Sequence, residues 1–336
     1  MKKKTIIIAE AGVNHNGDFS RACEMIRVAK LAGADYVKFQ TAVPELVISS
    51  IAPKAEYQKE TTGAQESQLE MCKKIHLPVS DYAKLEEICK IEGIGFMSTP
   101  FDLVSIDVLA KLDMDYWKIP SGEITNLPYL RKIASKGGKV ILSTGMSMPE
   151  EIKDACNILI YGGIKAEDIS LLHCNSQYPT PFCDVNHLAM NTLRSINPAG
   201  MVGYSDHTVG IEVPVAAVAL GAEIIEKHFT LDKTLPGPDH KASLDPKELS
   251  DMIAAIRNIE IALGDEHKTV SESERPNITV ARKSIVAARD IKAGETLTED
   301  NITVKRPGNG ISPMLWDSVI GTKAIMDFKY DELIKI

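Results

Sequence analysis

Along the first 230 residues, short apolar runs end eight times in a polar or charged cluster. Residues 5–9 lead into Glu10, 36–37 into Lys38, 95–97 into Ser98 and Thr99, and 116–117 into Lys118. Residues 140–142 lead into Ser143 and Thr144, 169–172 into His173, 202–204 into Ser205, Asp206 and His207, and 223–225 into Glu226, Lys227 and His228. Helix-like stretches separate most of the runs. Phe19, Ala22, Met25, Ile26 and Ala29 recur at helical spacing until Gly33 stops the pattern. Ser80 or Asp81 opens a helix that reaches 92, and 149–161 and 211–220 read as helices. Asp245 caps a last one, with Pro246 at its first position and Gly264 past its end. This alternation predicts an α/β chain built on a (β/α)8 TIM barrel, whose chemistry belongs at the C-terminal ends of its strands.

A barrel takes roughly 250 residues, so a chain of 336 has room for a small second unit. The barrel is expected over 1–263, a polar linker over 264–279, and a mainly β unit over 280–336, with short strands at 284–286 and 302–304. Pro307-Gly308-Asn309-Gly310 is a turn signal. So small a unit has a limited core and is expected to dock on something. Residues 43–72, long and polar, read as an insertion after the second strand, a place for a short helix or a cover over the site.

Composition is that of a globular protein, and a net charge of −8 argues against nucleic acid as a partner. No apolar stretch is long enough for a membrane span. The basic lead-in Met1-Lys2-Lys3-Lys4 precedes too short an apolar run for a signal peptide. Six cysteines without metal spacing, of which Cys23, Cys89 and Cys156 fall in helical patterns as core fillers, fit a reducing cytoplasm.

Three sets of strand-end residues carry candidate chemistry. His207 and His228 end neighbouring strands, so their imidazoles can meet at the barrel mouth and hold a divalent metal, leaving positions open for water and substrate. Lys38 and Lys118, with Thr99, Ser121, Ser143 and Ser205, form a cradle for phosphate or carboxylate, with imine formation as the alternative role for a lysine. Glu10, Glu123 and Asp239 are carboxylates placed to bind hydroxyls or move protons, although Asp239 also fits plain turn chemistry. Glu226 is expected to be structural and to face the helices. His15 stays open between a site role and a tight turn, residues 14–17, that opens the first helix, and nothing in the spacing makes His173 or His240, near the mouth, a ligand.

The stretches Glu10–Gly17, Val37–Thr41, Ser98–Phe101 and Lys118–Glu123 resemble those of the sialic acid synthases. So do Leu142–Met146, Gly203–Thr208 and Lys227–Thr230, while Val304–Gly310 is similar to that family's antifreeze-like (SAF) domain. The resemblance covers nearly the whole chain. It implies condensation of phosphoenolpyruvate with N-acetylmannosamine and water to give N-acetylneuraminate and phosphate with C–O cleavage. A 2,4-diacetamido-2,4,6-trideoxy sugar giving legionaminate is the alternative acceptor. It implies Mn2+, with Mg2+ or Co2+ able to substitute, on His207 and His228. It implies a phosphoenolpyruvate site at Lys38, Thr99, Lys118, Ser121, Ser143, Ser176 and Ser205. Many similar bacterial chains carry Asn where this one has Ser176, and Asn175 beside it is the other candidate for that contact. The sugar site corresponds to Glu10, Tyr178, Asp239 and Arg306, the arginine reaching into the partner's barrel in a domain-swapped homodimer. In this scheme Glu123 deprotonates the water that adds at C2, and Lys38 and Lys118 act electrostatically. A Schiff-base pyruvate aldolase and a non-catalytic sugar-binding protein are the competing readings.

Overall fold

The computed structural model describes residues 4–63 and 65–336, apart from the side chains of Tyr57 and Glu60. The first three residues of the basic lead-in lie outside the described residues. The chain divides into two compact units, Met1–Gly264 and Asp265–Ile336.

The first unit carries eight parallel strands, β1 (Ile6–Gly12), β2 (Tyr36–Thr41), β3 (Gly95–Pro100), β4 (Tyr116–Ile119), β5 (Lys139–Ser143), β6 (Ile169–Cys174), β7 (Val202–Asp206) and β8 (Ile224–His228). Each expected apolar run is one of them. They form one sheet in the order β3-β2-β1-β8-β7-β6-β5-β4, and its two edge strands, β3 and β4, lie side by side, which brings the sheet to near-closure as a TIM barrel. Most of the helical expectations match within a residue or two: helices span Phe19–Ala32, Pro149–Tyr161, Glu212–Ala219 and Pro246–Ala262. Asp245 caps the last, accepting from the amide of Glu248 while the Glu248 side chain accepts from the amide of Asp245. The helix expected from Ser80 or Asp81 instead begins at Tyr82, after a single 3-10 turn over Val79–Asp81, and Asp81 makes no side-chain cap.

Alternation along the strands sorts the barrel into two cores. Side chains of a strand point to opposite faces in turn. Ile8, Met97, Tyr116, Ile141, Leu172 and Ile224 point inward and pack as one small cluster that plugs the barrel. Their neighbours, among them Ile7, Ala9, Val37, Phe96, Trp117, Val140, Leu142, Leu171, Tyr204 and Ile225, point outward into the larger core under the helices. Gly203 occupies an inward position on β7 where a Cβ would stand 2.2 Å from the Ile224 carbonyl oxygen and 2.8 Å from Leu172; any side chain there would force the barrel wall apart.

The insertion after β2 holds three short helices, Pro44–Val47, Glu56–Thr62 and Gln68–Ile75. Within it the buried ammonium of Lys54 donates to Thr62 Oγ1, the Gly63 carbonyl and Glu66 Oε1 at 2.9, 3.0 and 3.2 Å. One lysine thus ties the end of the second helix and the loop after it to the segment between the first and second helices.

The second unit contains an antiparallel pair, β9 (Ser284–Ala287) and β10 (Ile302–Lys305). Part of the expected linker is a helix, Arg275–Ala281. The unit also has more core of its own than its size suggests: Ile285, Ala287, Ile291, Leu297, Ile302, Val319, Phe328 and Ile334 are buried together.

Candidate active site

One step of the strand repeat turns the barrel plug into a polar cavity. Two residues beyond Ile8 is Glu10; beyond Met97, Thr99; beyond Tyr116, Lys118; beyond Ile141, Ser143; beyond Leu172, Cys174; beyond Ile224, Glu226. All six point the way the plug points, one layer nearer the C-terminal mouth, and all line a cavity of about 700 Å³. Lys38 and Ser205 join them from β2 and β7, and His228 follows Glu226 one layer further out.

Glu226 is the correction this geometry makes. It does not face the helices. Its Oε1 accepts from Ser205 Oγ at 3.0 Å and lies 3.6 Å from Lys118 Nζ, and its Oε2 lies 3.5 Å from Lys38 Nζ. If His228 points into the barrel, the residue two positions earlier does too. Lys227, between them, is the one that faces outward.

The deep floor of the cavity is therefore a network of buried charges. Lys38 Nζ contacts Glu10 Oε2 at 2.7 Å and donates to Thr99 Oγ1 at 3.1 Å. Lys118 Nζ donates to Ser143 Oγ at 2.6 Å. Ser121 Oγ accepts the amide of Gly145 at 2.9 Å and lies 3.3 Å from Cys174 Sγ. Burial pushes the Glu10 carboxyl up to about 7, opposed by Lys38 and reinforced by the charge of Glu226. Burial also works against ionised Glu226, but the two lysines outweigh it and hold that carboxyl below its usual range. Burial lowers Lys118, whereas for Lys38 the attraction of Glu10 and Glu226 exceeds the burial cost and raises it. Gly12 lets the backbone of β1 pass over this floor: its φ is +52°, and a Cβ there would come within 3.2 to 3.4 Å of Glu10, Gln40 and His228.

Above the floor sit the two histidines. His207 and His228 face each other with ring centroids 5.5 Å apart, and Tyr178 stacks on His207 at 4.0 Å with its hydroxyl 2.8 Å from Nε2. His207 Nδ1 is hydrogen-bonded to the Asn175 carbonyl. Burial lowers His207 to about 4 and His228 well below its ordinary value, so both rings are neutral, the form a metal requires. His228 Nδ1 is buried with no hydrogen-bond partner and lies 3.9 Å from Asp239 Oδ2, a carboxyl that burial pushes up to about 7. Among the described residues no three His, Cys, Asp or Glu side chains cluster as a complete metal site. Two neutral imidazoles, one with its Nδ1 buried and unsatisfied, fit a divalent ion that draws its other ligands from water and substrate.

Asn175, Ser176, Tyr178 and Asp239 line the same cavity. The Asn175 side chain accepts from the amide of Gln177 at 2.8 Å. Glu123 is not among the lining residues, although Gly122 is. The Glu123 carboxylate takes a 2.5 Å bond from Asn126 Nδ2, beside the start of the helix Leu127–Lys136. Arg306 belongs to the second unit, where it is exposed and its Nε donates to the Ala281 carbonyl at 3.0 Å. His15, His173 and His240 do not line the cavity; His173 Nε2 meets the Val185 carbonyl at 2.8 Å, and His240 sits between Thr230 and Asn16.

Besides Glu226, residue-by-residue reading overlooked Gln40, which donates to Glu10 Oε1 at 3.2 Å, and Cys174. It also gave no names for the wall contributed by the insertion, where Val47, Ile48, Ala55, Gln58, Met71 and Ile75 close over the cavity. Period-two counting from the plug would have found Cys174 and Glu226. No local signal marks the insertion residues.

The NeuB family signature matches residues 25–268 and the SAF domain signature residues 282–336. The chain is 53% identical to N,N'-diacetyllegionaminic acid synthase of Campylobacter jejuni over 99% of both chains. It is 45% identical to the protein of the same name from Legionella pneumophila, over 96% of this chain and 90% of that one. Among solved structures it is similar to the N-acetylneuraminic acid (sialic acid) synthetase of Leptospira borgpetersenii in complex with citrate, with a TM-score of 0.72, 36% identity, and coverage of 82% of this chain and 90% of that one. With its barrel and its small C-terminal unit each matched in order, the chain belongs to the NeuB family.

Proposed function

We propose that this protein condenses phosphoenolpyruvate with 2,4-diacetamido-2,4,6-trideoxymannose and water, releasing phosphate and N,N'-diacetyllegionaminate. The observation that carries the condensation is the juxtaposition, in one cavity, of a floor of two lysines, hydroxyls and two carboxyl groups with two neutral histidines above it. The choice of acceptor rests on identity: 53% and 45% to two synthases named for diacetyllegionaminic acid, against 36% to the structure named for N-acetylneuraminic acid. This moves the preferred acceptor from N-acetylmannosamine to the deoxy diacetamido sugar.

In this reading the phosphate and carboxylate of phosphoenolpyruvate take the hydrogen bonds that Lys38, Lys118, Thr99 and Ser143 exchange with one another. The open-chain sugar lies above them, between Glu10, Tyr178 and Asp239. A divalent ion on His207 and His228, Mn2+ in preference to Mg2+ or Co2+, supplies Lewis-acid polarisation of the sugar aldehyde when bound. The alkene carbon of phosphoenolpyruvate forms the new C–C bond to the aldehyde carbon, and the aldehyde oxygen ends as a hydroxyl. Water adds at C2, and the tetrahedral intermediate loses phosphate by breaking the C–O bond. Glu226, centred between the two lysines, is assigned the proton of that water, in place of Glu123. The lysines hold the phosphate charge throughout and form no imine. Arg306 of a partner chain completes the acceptor site in a swapped homodimer; exposed Met146, Met148, Phe182 and Val209, in loops that follow β5, β6 and β7, offer such a partner an apolar rim.

Incubating purified protein with phosphoenolpyruvate and each sugar in turn tests the reading, with phosphate release as readout. Turnover is expected with the diacetamido sugar at a kcat/KM well above that with N-acetylmannosamine. The reverse order would overturn the acceptor assignment, and phosphate release with neither would overturn the reaction.

A further inference from the structure

The outward face of the barrel, behind the two histidines, carries an ion pair that the reaction scheme does not use. Asp206 and Lys227 are register partners at the ends of β7 and β8, and both side chains are fully buried. Each immediately precedes one of the histidines. Lys227 Nζ donates to Asp206 Oδ2 at 2.5 Å and to the Thr208 carbonyl, also at 2.5 Å. Asp206 in turn accepts from the Thr208 amide at 3.1 Å through Oδ1 and from the Thr208 hydroxyl at 3.0 Å through Oδ2.

A single ammonium therefore grips the residue before His207 and the residue after it, while its own backbone continues directly into His228. A buried ion pair is a poor source of net stability, because desolvating both charges offsets much of their attraction. What this one does is geometric: it ties the chain turn that carries His207 to the strand that carries His228. We infer that Asp206 and Lys227 are positioning residues that fix the spacing of the two imidazoles and so set the affinity of the divalent cation site.

This inference rests on the reading of His207 and His228 as metal ligands, and its test separates the two. The probe is Co2+, titrated into metal-free full-length protein without substrate and followed by calorimetry and by its visible absorption bands. The variant Asp206→Asn/Lys227→Met removes both charges at nearly constant volume. It is expected to melt within a few degrees of the parent, to bind Co2+ roughly 10- to 100-fold more weakly, and to shift the Co2+ bands. Asp206→Asn alone keeps the shape and one acceptor oxygen for Lys227, serves if the double variant does not fold, and is expected to weaken Co2+ by about tenfold. Parental Co2+ affinity and bands in a folded variant would overturn the positioning role. Failure of the parent protein itself to bind Co2+, or full binding by His207→Ala, would instead overturn the metal reading.

Discussion

The Glu226 carboxylate lies 3.6 Å from the Lys118 ammonium and 3.5 Å from that of Lys38, at the centre of the cavity floor. Neutralising it removes both the charge that holds the lysines in place and the proposed proton acceptor. Glu226→Gln is expected to lower kcat/KM by roughly 10²- to 10⁴-fold. Glu123→Gln, whose carboxylate is engaged by Asn126 and does not line the cavity, should cost much less. Steady-state kinetics of the two variants side by side decides between them; a loss in Glu123→Gln equal to that in Glu226→Gln would return the water's proton to Glu123.

Chelation tests the upper layer of the cavity independently of the floor. Turnover should be abolished by EDTA and restored by Mn2+, with Mg2+ or Co2+ as weaker substitutes. His207→Ala and His228→Ala should each lose activity while unfolding near the parent's temperature, since both rings border the cavity and truncating them leaves the barrel core untouched. Full activity in rigorously metal-free buffer would remove both histidines from the mechanism.

The lysines separate condensation from Schiff-base chemistry. Lys118, lowered by burial, is the more plausible nucleophile of the pair, yet Ser143 and Glu226 engage it as an ammonium. Treatment with pyruvate and borohydride is therefore expected to leave the protein's mass unchanged. A stable adduct on Lys118 or Lys38, located by peptide mass analysis, would replace the metal-assisted scheme with an aldolase.

Much of this was legible in the chain. Eight apolar runs became eight strands because a buried parallel strand must be apolar on both faces, and their polar ends became the cavity because inward positions beyond the plug meet solvent. Glu226 faces the cavity and not the helices because the pleat makes residues two apart, here Glu226 and His228, share a face, while Lys227 between them faces outward. Glu123 stands off the cavity lining for a different reason. It follows β4 in a 3-10 turn, Ser121–Glu123, where strand alternation no longer says which way a side chain points. The wall supplied by the insertion was invisible because its contribution depends on three short helices folding back over the mouth, a tertiary fact with no periodic signature.

The buried histidines make the fold sensitive to acid. His15 is lowered to about 3 and His240 to about 4, and His76, His173 and His187 are lowered as well, in every case chiefly by burial. Their unfolded value is near 6.5. Above that pH they are neutral in both states and cost nothing. Below it the unfolded chain binds protons that the native state refuses, so stability falls as pH drops below 6.5; for His15 and His240 the loss continues toward 3 and 4, at on the order of 1 kcal/mol per pH unit each. Glu10 and Asp239, pushed up to about 7, act in the opposite sense but are fewer. The melting temperature should fall between pH 7 and pH 5, and His15→Gln should flatten that slope. A flat profile in the parent would mean that these rings titrate as they do in water.

Arg306 gives the last prediction, because its exposed position in the second unit allows it to serve another chain. If it completes the acceptor site of a partner barrel, Arg306→Ala should raise the KM for the sugar far more than that for phosphoenolpyruvate. Mixing Arg306→Ala protein, at a sugar concentration far below its raised KM, with inactive His207→Ala protein under conditions that exchange subunits should then restore activity. In the mixed dimer, the barrel with an intact His207 receives the intact arginine of the His207→Ala chain. An arginine acting within its own chain predicts no recovery, since neither subunit would then hold both groups. Recovery of activity on mixing is thus a direct readout of whether the site is shared.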